Sequence, residues 1–99
     1  MAIKKQFLKS KPVCKVTFTL PILEAEKAAV IGSFNEWDQK ATPLKKLKNG
    51  SFKAIVDLEV SNSYEFRYIV DGTTYLNEEQ ADSFLWNDYA GAENSVITL

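Results

Sequence analysis

The side chains equipped for chemistry in this 99-residue chain are thirteen carboxylates, eleven lysines, one arginine, one cysteine and twelve aromatics; histidine is absent. Without histidine there is no Ser-His-Asp triad, no Cys-His pair and no imidazole-bound metal, and one cysteine, Cys14, builds neither a zinc site nor a disulfide framework. Catalysis would have to run on carboxylates, lysine or tyrosine. A sugar-cleaving enzyme needs only two acids flanking the scissile bond, one of them with its pKa raised by burial. Nothing in the sequence selects such a pair, because the acids fall mostly on outward strand positions or in turns, where solvated surface charge is the plainer reading. The four glycines, Gly32, Gly50, Gly72 and Gly91, fit no phosphate-cradling pattern. The expectation is therefore no catalytic residue, no metal and no cofactor.

The aromatics say more than the charges. Six of the twelve, Phe7, Trp37, Tyr75, Phe84, Trp86 and Tyr89, fall outside the segments that alternate as strands, and are expected in loops or in the tail. Any one of them alone reads as a lid over the end of a core, but together they suggest a binding surface, since exposed aromatic area is costly unless it is covered or used. A flat indole suits a sugar: the C–H face of a pyranose is apolar and stacks on it, while nearby polar groups take the hydroxyls. Trp37 follows directly on a strand in Gly-Ser-Phe-Asn-Glu-Trp, where a turn would hold it at the surface. Arg67 projects outward from a central strand, and Asn94 opens the last one.

The elements that position these residues are strands nearly throughout, because apolar residues recur at every second position. Val13–Leu20 points Cys14, Val16, Phe18 and Leu20 to one face, which makes Cys14 a packed small hydrophobe. Residues 27–34 form a second, Ala- and Val-rich strand. Residues 51–60 alternate with Phe52, Ala54, Val56, Leu58 and Val60 inward, and residues 64–70 with Phe66, Tyr68 and Val70 inward. Asn49-Gly50 separates residues 44–48 from the next strand as a two-residue turn would, Asp71-Gly72 closes 64–70, and 94–99 is the final strand. Residues 81–91 have no clear period and read as a long loop with at most one helical turn. Six or seven short strands in about a hundred residues predict an all-β fold, an antiparallel β-sandwich of immunoglobulin-like type, over residues 13–99. Residues 1–12, basic and free of acids, read as a tail or a loosely paired edge strand.

Composition bounds the rest. With 45% hydrophobic residues and 25% charged, the chain suits one globular domain, able at this length to bury roughly two thirds of its unfolded surface. The net charge of -1 hides a division: residues 1–53 carry +7 and residues 54–99 carry -8. The lysines are scattered and Arg, the usual base reader, occurs once, so solvated faces explain the charge better than nucleic acid does. No apolar run is long enough for a membrane span or a signal peptide, which makes the cytoplasm the expected compartment.

Several blocks, in order, resemble carbohydrate-binding module family 48: residues 30–38 (Val-Ile-Gly-Ser-Phe-Asn-Glu-Trp-Asp), 43–46 (Pro-Leu-Lys-Lys), 50–52 (Gly-Ser-Phe), 66–72 (Phe-Arg-Tyr-Ile-Val-Asp-Gly) and 94–96 (Asn-Ser-Val). That family includes the glycogen-binding domain of the AMP-activated protein kinase β subunit and the early-set domains of isoamylases and branching enzymes; the chain is also similar to small free-standing bacterial proteins of this kind. The resemblance implies an early-set sandwich that recognises α-1,4-glucan without catalysis, since the enzymes that carry this module keep their chemistry in a separate barrel. It assigns stacking to Trp37 and hydrogen bonding to Arg67 and Asn94. Thr74 stands where the family has a second stacking tryptophan, and Ala90 and Ala92 stand where it has Leu and Thr; Tyr75, Trp86 or Tyr89 could supply the second platform. The expected partner is an α-glucan, bound weakly, with a glycogen-metabolising enzyme or another protein as a further partner. The competing reading is a protein-interaction domain that kept the sandwich and lost the sugar site. The sugar reading requires Trp37 and Arg67 side by side on one exposed face, whereas Trp37 buried beneath 81–91 would contradict it.

Overall fold

The computed structural model describes residues 2–21, 24–88 and 91–99. Nine strands build it: β1 Ala2–Phe7, β2 Val13–Leu20, β3 Ala28–Gly32, β4 Pro43–Lys46, β5 Phe52–Glu59, β6 Ser63–Val70, β7 Thr74–Leu76, β8 Ser83–Asn87 and β9 Ala92–Thr98. No helix occurs among the described residues. All pairings are antiparallel, in the order β1-β2-β5-β4-β3-β6-β9-β8, with β7 added to β6 beyond the end of β9. Strand β4 makes the corner between two layers: its first half pairs with β3 and its second half with β5. The result is the expected immunoglobulin-like all-β sandwich, β1-β2-β5 on one side and β3-β6-β9-β8 on the other.

The alternation seen in the sequence is what closes it. Cys14, Val16, Phe18 and Leu20 of β2 are fully buried, and they meet Val30, Phe66, Tyr68 and Ile97 of the opposite layer. Phe18 lies at the centre, edge-on to Phe66 at 5.2 Å and stacked on Phe34 at 6.1 Å. Burying one such side chain contributes about 1.5–3 kcal/mol. Cys14 is buried among them, as expected of a small hydrophobe. The other face of β3 and β6 carries a smaller apolar cluster of Ala29, Ile31 and Ile69.

Three local expectations change, and one alternative is decided. The segment at 81–91 contains β8, whose five residues pair in register with β9. It escaped notice because an edge strand with nothing packed on either face loses its alternation, and Phe84, Leu85 and Trp86 are all exposed. The basic N-terminal segment is a fully registered edge strand, from Ala2 opposite Thr19 to Phe7 opposite Cys14. The strand expected at 27–34 stops at Gly32, where a turn begins. The turn at Asn49-Gly50 has three residues instead of two: Gly50 N donates to Leu47 O at 2.9 Å, Leu47 N to Ser51 O at 2.7 Å, and Gly50 takes the positive φ that ends a bulged hairpin. At the other hairpin Asp71 and Gly72 both adopt positive φ, and Asp71 Oδ1 also accepts the N–H groups of Glu26 and Lys27, fixing the entry to β3.

Candidate functional site

Strand register decides which side chains can meet. Arg67 lies opposite Ile31 of β3, and one step beyond the Phe66–Ser95 pair it lies opposite Asn94 of β9. Tyr75 is opposite Ile69 and therefore shares that face, because side chains two apart on a strand point the same way. Thr74, paired with Val70, points to the other face. Position 75, not 74, thus turns a ring toward Arg67.

Trp37 reaches the same place through the turn after β3. Gly32 starts that turn because nothing larger fits: a Cβ there would sit 2.4 Å from the Glu65 carbonyl oxygen and 2.9 Å from Phe66 Cβ. Asn35 then holds the loop, accepting from Gly32 N at 2.9 Å and donating through Nδ2 to Val30 O and Thr42 Oγ1, both at 3.0 Å. Trp37 N donates back to Gly32 O at 2.9 Å. Within this frame Glu36 and Trp37 have φ of 58° and 59°, the left-handed region that costs a non-glycine residue about 1–3 kcal/mol. The strained turn leaves the indole 37% exposed at the mouth of a cleft.

The cleft holds about 580 Å³ and is lined by Ile31, Trp37, Gln39, Arg67, Tyr75, Asn87 and Asn94. It combines two aromatic rings, an aliphatic floor, three amides and one guanidinium, and none of these described lining residues is a carboxylate. The guanidinium is the unusual part. Arg67 Nε and Nη2 are shielded from solvent and have no hydrogen-bond acceptor. These two nitrogens form one edge of the group, a fork that bonds a pair of oxygens side by side. Leaving such donors buried and unmade costs about 1–3 kcal/mol. Asn94 is only 2% exposed, and its Nδ2 donates to Glu65 Oε1 at 3.1 Å, which fixes the orientation of its amide.

Four of the six residues expected at the site, Trp37, Arg67, Tyr75 and Asn94, therefore converge. Trp86 does not join them: it pairs with Glu93, which puts its side chain on the opposite face from Asn94 and Leu85. Its indole is 59% exposed, and Nε1 donates to Asp88 Oδ1 at 2.6 Å. Tyr89 lies outside the described residues. Of the aromatics expected in loops or in the tail, Phe7, Tyr75, Phe84 and Trp86 are strand residues, and Trp37 is in a turn. The sequence reading missed Asn35, Gln39, Ile31 and Asn87. Asn35 had a signal, since a small amide three residues after a glycine is a natural turn organiser; Gln39 and Asn87 had none.

The acids also hold a surprise. Glu78, expected with the rest at the solvated surface, is fully buried. Its Oε1 accepts the Tyr68 hydroxyl at 2.8 Å, its Oε2 accepts Gln80 N at 3.0 Å, and its N–H donates to Ser95 Oγ at 2.8 Å. Ser95 Oγ donates in turn to Asn77 Oδ1, and Asn77 Nδ2 to Glu93 O. Burial, then the charge of Glu78, push the Tyr68 hydroxyl far above its usual pKa, so it stays a donor. This network ties the chain after β7 to β9 and so steadies Tyr75 beside Asn94.

A family model described as the glycogen recognition site of AMP-activated protein kinase matches residues 14–99. No curated protein is matched at a significant level.

Proposed function

The chain belongs to the family of the glycogen recognition site of AMP-activated protein kinase, and from that membership we propose that it is a non-catalytic α-1,4-glucan-binding module that uses the cleft between Trp37 and Asn94. The observation that carries this reading is the convergence of Trp37, Arg67, Tyr75 and Asn94 on one cleft. Trp37 stacks on the apolar face of one glucose residue, and Tyr75 takes the part of the second aromatic platform. Two adjacent hydroxyls of a pyranose satisfy the Nε and Nη2 edge of Arg67 once its guanidinium turns outward. The Asn94 amide takes a hydroxyl from the side.

Affinity follows from how much sugar the cleft dries. Tyr75 offers a smaller ring than an indole, and Ala92 offers no hydroxyl, so few sugar atoms are desolvated. Binding of short oligosaccharides on the order of micromolar to millimolar is expected. Titrating maltoheptaose by calorimetry against the chain and its Trp37→Ala variant tests the reading. Saturable binding that the variant weakens at least tenfold is the expected result. No heat at millimolar sugar, or equal affinity in the variant, would refute it.

A further inference from the structure

Strand β8 is the last in its layer and, among the described residues, pairs with β9 alone, so the outward backbone groups of residues 84–86 have no partner strand. Exposed edges are ordinarily blunted by lysine, proline or a bulge. Ser-Phe-Leu-Trp-Asn has none of these, and it exposes three consecutive apolar side chains, Phe84, Leu85 and Trp86. Phe84 and Trp86 share the face away from the glucan cleft, and the Asp88 carboxylate holds the Trp86 indole at one end. Acids outnumber bases around the strand. No lysine or arginine follows Arg67 in the sequence, Asp82 and Asp88 bracket the strand, and Glu93 lies directly across from Trp86. The lysine that does reach this edge, Lys5, is engaged by Asp82 at 2.7 Å.

We propose that β8 is a docking edge for an extended, basic segment of a partner protein, which adds to the layer as a further strand. Its backbone would pair with the outward edge of β8, two apolar side chains at alternate positions would cover Phe84 and Trp86, and a lysine or arginine two residues beyond them, on that same face, would meet Asp88. A second copy of this chain is the poorer occupant. Symmetric antiparallel pairing of β8 about Leu85 sets Asp82 opposite Asp88 at both ends, and like charges opposed across a ladder are destabilising. Phe84 and Trp86 lie on the opposite face of β8 from Asn87, which lines the cleft, and a peptide titration without sugar reads this surface apart from glucan binding.

The test uses the Trp37→Phe variant, in which Trp86 is the sole indole. A capped Lys-Thr-Val-Thr-Val-Thr-Lys peptide, whose lysines and valines share one strand face, is titrated while Trp86 emission is followed, with a Glu-Thr-Val-Thr-Val-Thr-Glu peptide alongside. The expected result is a saturable shift with the basic peptide alone, weakening as salt is raised. Phe84→Lys should weaken it about thirtyfold, the loss typical of a central aromatic anchor. Asp88→Asn, which leaves the apolar surface and an acceptor for the Trp86 indole in place, should weaken it severalfold. No response, an equal response to both peptides, or an undiminished response in Phe84→Lys with its melting temperature intact would overturn the proposal. So would sedimentation showing a dimer that Phe84→Lys dissociates.

Discussion

At the scale of single residues, Arg67 sets function against stability. Its Nε and Nη2 donors are shielded from water and unmatched by any acceptor, an arrangement a protein selected for stability alone would have replaced. Arg67→Met keeps the aliphatic stem that covers the sheet and removes the unmet donors. It should therefore melt no lower than the parent, and up to a few degrees higher, while losing glucan affinity. Differential scanning calorimetry with a maltoheptaose titration checks both halves; a drop of several degrees would mean that the guanidinium supports the fold instead. Tyr75 is the second informative residue. The sequence sets Thr74 where a second tryptophan was expected, and only the pairing of Ile69 with Tyr75 reveals which of the two neighbours faces the cleft. A one-residue difference in register moves a side chain to the opposite face, and no spacing rule in the sequence resolves that.

At the scale of elements, the Gly32–Trp37 turn does the positioning. Asn35 makes three hydrogen bonds from one side chain, to Gly32, Val30 and Thr42, and against these the left-handed Glu36 and Trp37 are held. Asn35→Ala should cost about 1–3 kcal/mol, measurable by urea denaturation, because it frees strained backbone and removes bonds that are partly buried. It should also weaken glucan binding, although Asn35 does not line the cleft. Retained affinity in a destabilised variant would show that the sugar itself orders the turn. Strands β2 and β5 were legible because each is buried on one face and more open on the other, so Phe18 and Phe52 announce their direction every second residue. Strands β7 and β8 were not, since three residues cannot show a period and an edge strand has no buried face to mark. Glu78 was hidden for a related reason: its burial depends on Tyr68 and Ser95, partners that are distant in sequence and come together only in the fold.

At the scale of the whole molecule, the basic first half of the sequence meets the acidic second half at the open edges of the sandwich through Lys5 and Asp82. Lys5 of β1 reaches Asp82 at 2.7 Å and Thr98 O at 3.1 Å, joining the two layers where the ladder does not close. Burial by itself pushes the Asp82 carboxyl up, but hydrogen bonds from Lys5 Nζ and Thr98 N, with the lysine charge, hold it below its ordinary value of 3.8. A carboxyl depressed in the folded state contributes stability above its unfolded pKa and loses it as pH falls through the folded one. The contribution is thus present above about pH 4 and disappears below it. Because the pair is partly exposed, its worth is at most about 1 kcal/mol. Asp82→Asn should lower the melting temperature slightly at pH 7 and leave it unchanged near pH 2, so the two melting curves converge on acidification. Curves that stay parallel between those limits would mean that the staple is not ionic.

The central claim, that glucan enters the cleft at Trp37, is tested most directly by the two indole N–H resonances of the chain. Trp37 and Trp86 sit on separate surfaces of one molecule, so each serves as the control for the other. Adding maltoheptaose to the 15N-labelled protein should move the Trp37 signal progressively to saturation and leave the Trp86 signal where it was. Movement of Trp86 with Trp37 unmoved, or of neither at millimolar sugar, would contradict the account.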